Sequence, residues 1–240
     1  MMGTLQTGKV FVLSTLAGLL AGGVLVGINL GLVQRYNTAL ADIELENLLT
    51  AGEFDEEEFD IQMRSIYFSQ LYSSIIIGLG AGALVGGTFI AAKIRIMSPL
   101  RAALLIVGIA WFVLYVIPTV KYPPSPTAMF DPEVAGTYQE LLAGYTAVSG
   151  LSALGIAFGF RKVKRKKKVL GAAALYLVVV SGAFIAFPDY LNKDDSLLPQ
   201  PVVSAWRSAI SLSMTAFWFA LGIICGLLWK YGSKSAGRGI

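Results

Sequence analysis

Stretches of about twenty residues with almost no charge recur along this chain, a length that carries a helix across the roughly 30 Å of hydrocarbon in a bilayer. Six of them run approximately over 10–33, 71–92, 102–120, 141–160, 169–187 and 209–229. Hydrocarbon offers no hydrogen-bond partner to a peptide group, so such segments must satisfy their backbones internally and form helices. The pattern predicts an all-α, polytopic membrane helical bundle with six transmembrane helices, in a single membrane domain over residues 1–240. Pro118 and Pro188 are expected to close the third and fifth spans, because proline has no N–H for the preceding turn. The first stretch is too long for a cleaved signal peptide, and no small-residue cleavage pattern follows it.

The polar segments between the spans are sorted by sign. One set holds Lys9; Lys93, Arg95 and Arg101; Arg161, Lys162, Lys164, Arg165, Lys166, Lys167 and Lys168; and Lys230, Lys234 and Arg238, with no acid among them. The other holds all 15 acidic residues beside Arg35, Arg64, Lys121, Lys193 and Arg207. Lysine and arginine stay cytoplasmic during insertion. The lysine-rich side is therefore expected inside, with both termini cytoplasmic and residues 34–70 forming an acidic extracytoplasmic loop. The net charge of +4 does not point to nucleic acid, because the charge is segregated by side. The basic run 161–168 reads as a topology anchor, or as a surface for anionic lipid headgroups.

Composition agrees: 55% of residues are hydrophobic and 14% charged, too few charges to clothe a soluble surface. The one cysteine, Cys225, lies deep in the last apolar run, and histidine is absent. Without histidine, a nucleophile–base pair or a phosphate loop, the inventory points away from an enzyme and from a permanently bound cofactor.

Apolar side chains gain little by leaving lipid for one another, so spanning helices pack through small residues. Glycines four apart mark such faces at Gly18 and Gly22, at Gly78, Gly82 and Gly86, at Gly155 and Gly159, and at Gly222 and Gly226. They place the first, second, fourth and sixth spans at the centre, with the third and fifth toward lipid. Span hydroxyls such as Thr146, Ser149 and Ser213 are expected to bond their own backbone. Asn29, in the first span, has no such outlet and is a candidate pathway residue.

The acidic loop carries Asp42, Glu44, Glu46, Glu53, Asp55, Glu56, Glu57, Glu58 and Asp60. It reads either as a mouth that concentrates cations or as a solvated helical face. Thr50 and Glu53 have capping-box spacing, predicting a helix start there. Asp131-Pro132-Glu133 has the order of an N-cap, first-turn proline and first-turn acid. Asp131, Glu133 and Glu140 are the candidate metal-binding carboxylates, although capping alone accounts for the first two. Lys121 and Arg207 complete the candidate mouth. Arg207 either pairs with Glu140 or extends to the interface while Trp206 anchors there.

The stretch Val116-Ile117-Pro118-Thr119-Val120-Lys121-Tyr122-Pro123-Pro124-Ser125-Pro126, followed by Asp131-Pro132, resembles the proline-rich loop of the CbtA family of cobalt transporter subunits. Pro199-Gln200-Pro201-Val202-Val203, Trp206-Arg207, Ser211-Leu212, Trp218 and Leu221-Gly222 are similar to that family's last span and its lead-in. Ala17-Gly18-Leu19-Leu20-Ala21-Gly22 fits its first span. The resemblance implies a subunit that moves cobalt or another divalent cation as substrate, linked to cobalamin biosynthesis, in the plasma membrane of a prokaryote. It also implies a small single-span partner with a histidine-rich tail. The long acidic segment 42–60 and the lack of histidine depart from the pattern, since imidazole nitrogen suits cobalt; a partner would then supply the selective ligands. The competing expectation is a non-transporting structural or accessory subunit of a larger membrane complex.

Overall fold

The computed structural model describes residues 7–52, 54–92, 98–160, 165–190 and 198–236. Glu53, Lys93, Arg95, Arg161, Lys162, Lys164, Lys193 and Arg238, named above, lie outside the described residues. The elements are α1 (Thr7–Ile28), a π-helical turn (Asn29–Val33), α2 (Gln34–Ala51), α3 (Glu56–Ala92), α4 (Pro99–Trp111), a second π-helical turn (Phe112–Val116), α5 (Ile117–Lys121), α6 (Thr127–Phe130), α7 (Pro132–Gly159), α8 (Arg165–Ala186) and α9 (Gln200–Ala236). No strand occurs among the described residues. Among the described residues, six helical stretches are long and apolar enough to cross a membrane: Thr7–Ala51, Glu56–Ala91, Pro99–Lys121, Pro132–Gly159, Val169–Ala186 and Gln200–Gly232. The all-α membrane architecture is therefore the one the hydropathy pattern predicts. Large apolar side chains stand exposed, Ile185 at 84% among them. Water would penalise that surface; hydrocarbon does not.

Segment 34–70 is not a loop. α1, the first π turn and α2 form one helical run of 45 residues. At about 1.5 Å per residue it is more than twice as long as the hydrocarbon is thick. α2 and the first turns of α3 therefore make a helical hairpin beyond the spans. Gly52 ends α2 in the left-handed conformation, φ 72°, with its N–H on the Leu48 and Leu49 carbonyls. Thr50 lies in the last turn of α2 and its hydroxyl donates back to the Glu46 carbonyl at 2.8 Å, so it opens no helix. The cap of α3 is instead Asp55, whose Oδ1 accepts from the N–H groups of Glu57 at 2.9 Å and Glu58 at 3.1 Å. Glu56, Glu57 and Glu58 fill the first turn, where the helix dipole favours negative charge. Farther along α3, exposed Tyr67, Phe68 and Tyr72 form a chain of ring contacts, the residue types that collect at a membrane–water boundary.

Pro118 also differs from expectation, because the helix continues past it to Lys121. The second π turn explains this: the Ile117 N–H bonds to the Phe112 carbonyl five residues back. The widened turn accommodates the pyrrolidine ring, and Pro118 falls in the opening turn of α5, where a missing N–H costs least.

Residues expected to form one membrane domain group by contact into two compact units. One comprises Met1–Ile109 with Pro199–Ile240, the other Ala110–Leu198. In the first, α1 packs along α3 and α9. In the second, α7 packs on α8 and on the second π turn, around Val113, Tyr122, Tyr145, Tyr176 and Val180.

Candidate functional site

The first unit is organised by how closely glycine lets two backbones approach. A Cβ added at Gly18 would fall well inside contact distance of the Gly78 carbonyl, and one at Gly22 would lie 2.9 Å from the Ser74 carbonyl. Gly78 and Gly82 meet the α1 backbone in the same way, and Gly86 lies against Ser14. On α9, Gly226 is held against the Leu100 main chain, where a Cβ would stand 2.7 Å from Cα, and Gly222 faces Leu104 and Val107. At Gly155 and Gly159 a Cβ would meet nothing within 4 Å. Within its own unit the fourth span therefore forms no such seam at these two glycines. It belongs to the second unit, where Gly150 lies against Leu114 and Gly144 against Phe187. Spacing alone could not separate glycines that meet a neighbouring helix from glycines that meet nothing. The seam between α1 and α3 is closed main chain to main chain, so it offers no ion path along its length.

Beyond the seam toward the hairpin lies a polar node. Asn29 opens the first π turn, and its carbonyl accepts from the Gln34 N–H five residues on. Its side chain ties three spans. Asn29 Oδ1 accepts from the Ser213 hydroxyl of α9 at 2.5 Å, and Nδ2 donates to Ser74 Oγ of α3 at 3.2 Å. The Ser74 hydroxyl in turn donates to the Gln70 carbonyl at 2.7 Å. Ser74 and Ser213 are 2% and 0% exposed. One turn before Ser74, Gln70 Oε1 is enclosed with no hydrogen-bond partner.

Two indoles extend the ladder. Trp206 Nε1 donates to Asn37 Oδ1 at 2.8 Å, and Trp229 Nε1 donates to Ser14 Oγ at 3.0 Å. Trp206 is thus a buried tie between α9 and α2 rather than an interfacial anchor. The sequence singles out Asn29, because an amide in a span lacks a local outlet. It does not single out Ser74 or Ser213, since a hydroxyl in a helix ordinarily bonds its own carbonyl, nor Gln70, which directly precedes the second apolar run. Thr146 does so, donating to Leu142 at 2.7 Å. Ser149 does not: it donates to the Val113 carbonyl at 2.6 Å and pairs with the Tyr176 hydroxyl at 2.7 Å.

The three candidate metal carboxylates do not converge. Asp131 Oδ1 accepts from the N–H groups of Glu133 at 2.8 Å and Val134 at 3.2 Å, so it caps α7. Glu133 and Glu140 are exposed, and seven residues of helix separate them by about 10 Å of rise. Among the described residues, no group of three histidines, cysteines or acids could hold a metal ion. Lys121 turns inward in the second unit, with its side chain 3% exposed. It pairs with Asp189 and lies 4.6 Å from the centre of the Phe184 ring. Beside it the Tyr122 hydroxyl donates to the Pro188 carbonyl at 2.7 Å, and burial pushes this phenol above its ordinary pKa. Lys121 thus clasps the segment after α8. Arg207 lines a shallow depression on α9 with Ser208, Ser211, Leu212 and Thr215. It belongs to the first unit, and Glu140 to the second.

The family model described as "Probable cobalt transporter subunit (CbtA)" matches residues 8–230, nearly the whole chain. No curated protein and no solved structure matches it.

Proposed function

From the premise that this chain belongs to the CbtA family, described as cobalt transporter subunits, we propose that it is the integral-membrane subunit through which cobalt or a similar divalent cation crosses the plasma membrane of a prokaryote. The observation that carries this reading is a family match that includes all six spans. In this reading cobalt is substrate, not cofactor, the chain is not an enzyme, and the ion serves cobalamin biosynthesis. The sorting of charge favours cytoplasmic termini and a hairpin of α2 and α3 outside, where its carboxylates raise the local concentration of cations. A reporter fused near residue 165 is expected to be active only inside the cell, and activity outside would reverse the reading.

The chain has no histidine to favour cobalt, and among the described residues its acids form no group of three that could hold a metal ion. That supports a second protein, small and rich in histidine, as the source of selective ligands. Driving force is adequate without ATP: a divalent ion gains about 4.6 kcal/mol per 100 mV, on the order of a thousandfold accumulation. Cells that express the chain together with such a partner are expected to accumulate cobalt several-fold over cells that express neither. Glu140→Gln is expected to leave that uptake unchanged, because Glu140 is exposed and joins no ligand cluster among the described residues.

The closed glycine seam and the self-satisfied ladder of Ser14, Asn29 and Asn37 favour a second reading, a structural or accessory subunit of a larger membrane complex. No cobalt accumulation with or without a partner, together with co-purification in a large assembly, would establish that reading over the first.

A further inference from the structure

We propose that the Asn29 node is a binding site for a monovalent cation of sodium's size, formed by the side-chain oxygens of Asn29, Ser74, Ser213 and Gln70. The inference goes beyond the transport of a divalent ion and does not depend on it.

The donor chemistry selects the charge. All four groups are neutral, and the acids nearest to them in sequence, Asp42 and Asp60, stand about ten or more residues away. The cost of removing an ion from water grows with the square of its charge, so a bare divalent ion costs about four times as much as a monovalent one of the same size. Divalent sites meet that cost with carboxylates. Neutral carbonyl and hydroxyl oxygens are enough for sodium or potassium, as in channel filters and in the broken helices of transporters.

The backbone is arranged in the same sense. A π turn shifts the helical register by one residue and takes a main-chain carbonyl out of the regular ladder, and Asn29 opens such a turn. Gln70 Oε1 is enclosed without a donor one helical turn from Ser74. An enclosed acceptor left unmet is costly, and a cation meets it directly. The cation nearest to Asn29 along its own helix, Arg35, is turned elsewhere. Its guanidinium lies 4.7 Å from the centre of the Tyr36 ring and donates to the Tyr36 hydroxyl at 3.0 Å.

The 2.5 Å bond between Ser213 and Asn29 leaves no room for an ion between the two oxygens. Binding therefore requires the Ser213 hydroxyl to swing back to a carbonyl of its own helix, a rotation ordinarily open to serine. The ion then takes up the Asn29 oxygen that Ser213 releases. Occupancy exchanges a direct bond between α1 and α9 for an ion held by both.

The test uses the purified full chain in lipid nanodiscs, with thermal unfolding followed in choline chloride and in sodium chloride at constant ionic strength. Sodium is expected to raise the unfolding midpoint saturably, with half-saturation in the millimolar range. Asn29→Ala and Gln70→Leu are each expected to raise the half-saturating concentration about tenfold, the loss of one oxygen ligand to a charged group. Gln70→Leu keeps the test informative if Asn29→Ala does not fold, because Gln70 is partly exposed and its Oε1 accepts no hydrogen bond that folding would lose. Asn37→Ala lowers the midpoint through the lost Trp206 bond and is expected to keep the sodium dependence of the parent. The proposal is overturned if midpoints in choline and sodium coincide, or if Gln70→Leu leaves half-saturation where it was. It is equally overturned if cobalt shifts the midpoint through Asn29 while sodium does not, since the node would then be a cargo site.

Discussion

Gly18→Val is expected to abolish recovery of folded protein, while Gly23→Val, five residues on in the same helix, is expected to leave yield and unfolding midpoint within error of the parent. The two positions differ in what a side chain would meet. A Cβ at Gly18 collides with the Gly78 carbonyl and with the Gly82 main chain, whereas one at Gly23 meets nothing within 4 Å. Main-chain atoms cannot rotate aside as a side chain can, so the whole of α3 must move away from α1. Overpacking a core costs about 1–3 kcal/mol when side chains absorb the change, and more when a backbone must shift. Here the shift would also separate Gly22 from Ser74 and Gly82 from Ser14, taking the Asn29 bond to Ser74 with it. Gly22→Ala, with a closest approach of 2.9 Å, is expected to fall between the two. Size-exclusion profiles in detergent and thermal midpoints read the series. Equal tolerance at Gly18 and Gly23 would show that the two backbones do not touch.

Trp229→Ala is expected to destabilise the first unit by about 3 kcal/mol, near the low end for a buried tryptophan, because lipid chains replace part of the lost contact. Trp229 is 1% exposed, its ring centre is 4.3 Å from that of Phe89, and its Nε1 bonds to Ser14. Trp229→Phe keeps most of the packing and loses the hydrogen bond, about 1 kcal/mol. Ser14 retains its own bond to the Val10 carbonyl at 2.8 Å, so no hydroxyl is stranded by either change. Denaturant titration of the purified chain separates the two variants. Equal losses for alanine and phenylalanine would assign the tie to the hydrogen bond rather than to the ring.

The hairpin shows where local reading stops. Thr50 and Glu53 have the spacing of a helix start, yet Gly52 between them takes a left-handed turn, and only that conformation ends α2 and leaves Asp55 to open α3. Pro118 was legible as a breaker and not as a tolerated first-turn residue, because the π turn that admits it has no signature in composition. The candidate carboxylates illustrate the opposite case. Asp131 was readable as a cap from its neighbours alone, and its geometry is that of a cap. Whether Glu140 met other acids depended on residues far away in the chain.

The amino-acid order by itself determined the number of spans and their helical state. Both follow from a local requirement: each twenty-residue apolar run must satisfy its own peptide groups in hydrocarbon. It also marked Asn29, since an amide in a span cannot be silent. Tertiary structure alone decided which glycines touch a neighbour and which meet nothing. It also decided that Ser213 donates to Asn29 rather than to a carbonyl of its own helix, that Ser74, while keeping its bond to the Gln70 carbonyl, accepts from Asn29, and that Trp206 faces inward. Those outcomes depend on which helix lies alongside, a long-range choice made by backbone shape. In a membrane, where apolar faces are nearly interchangeable, hydropathy holds no record of it.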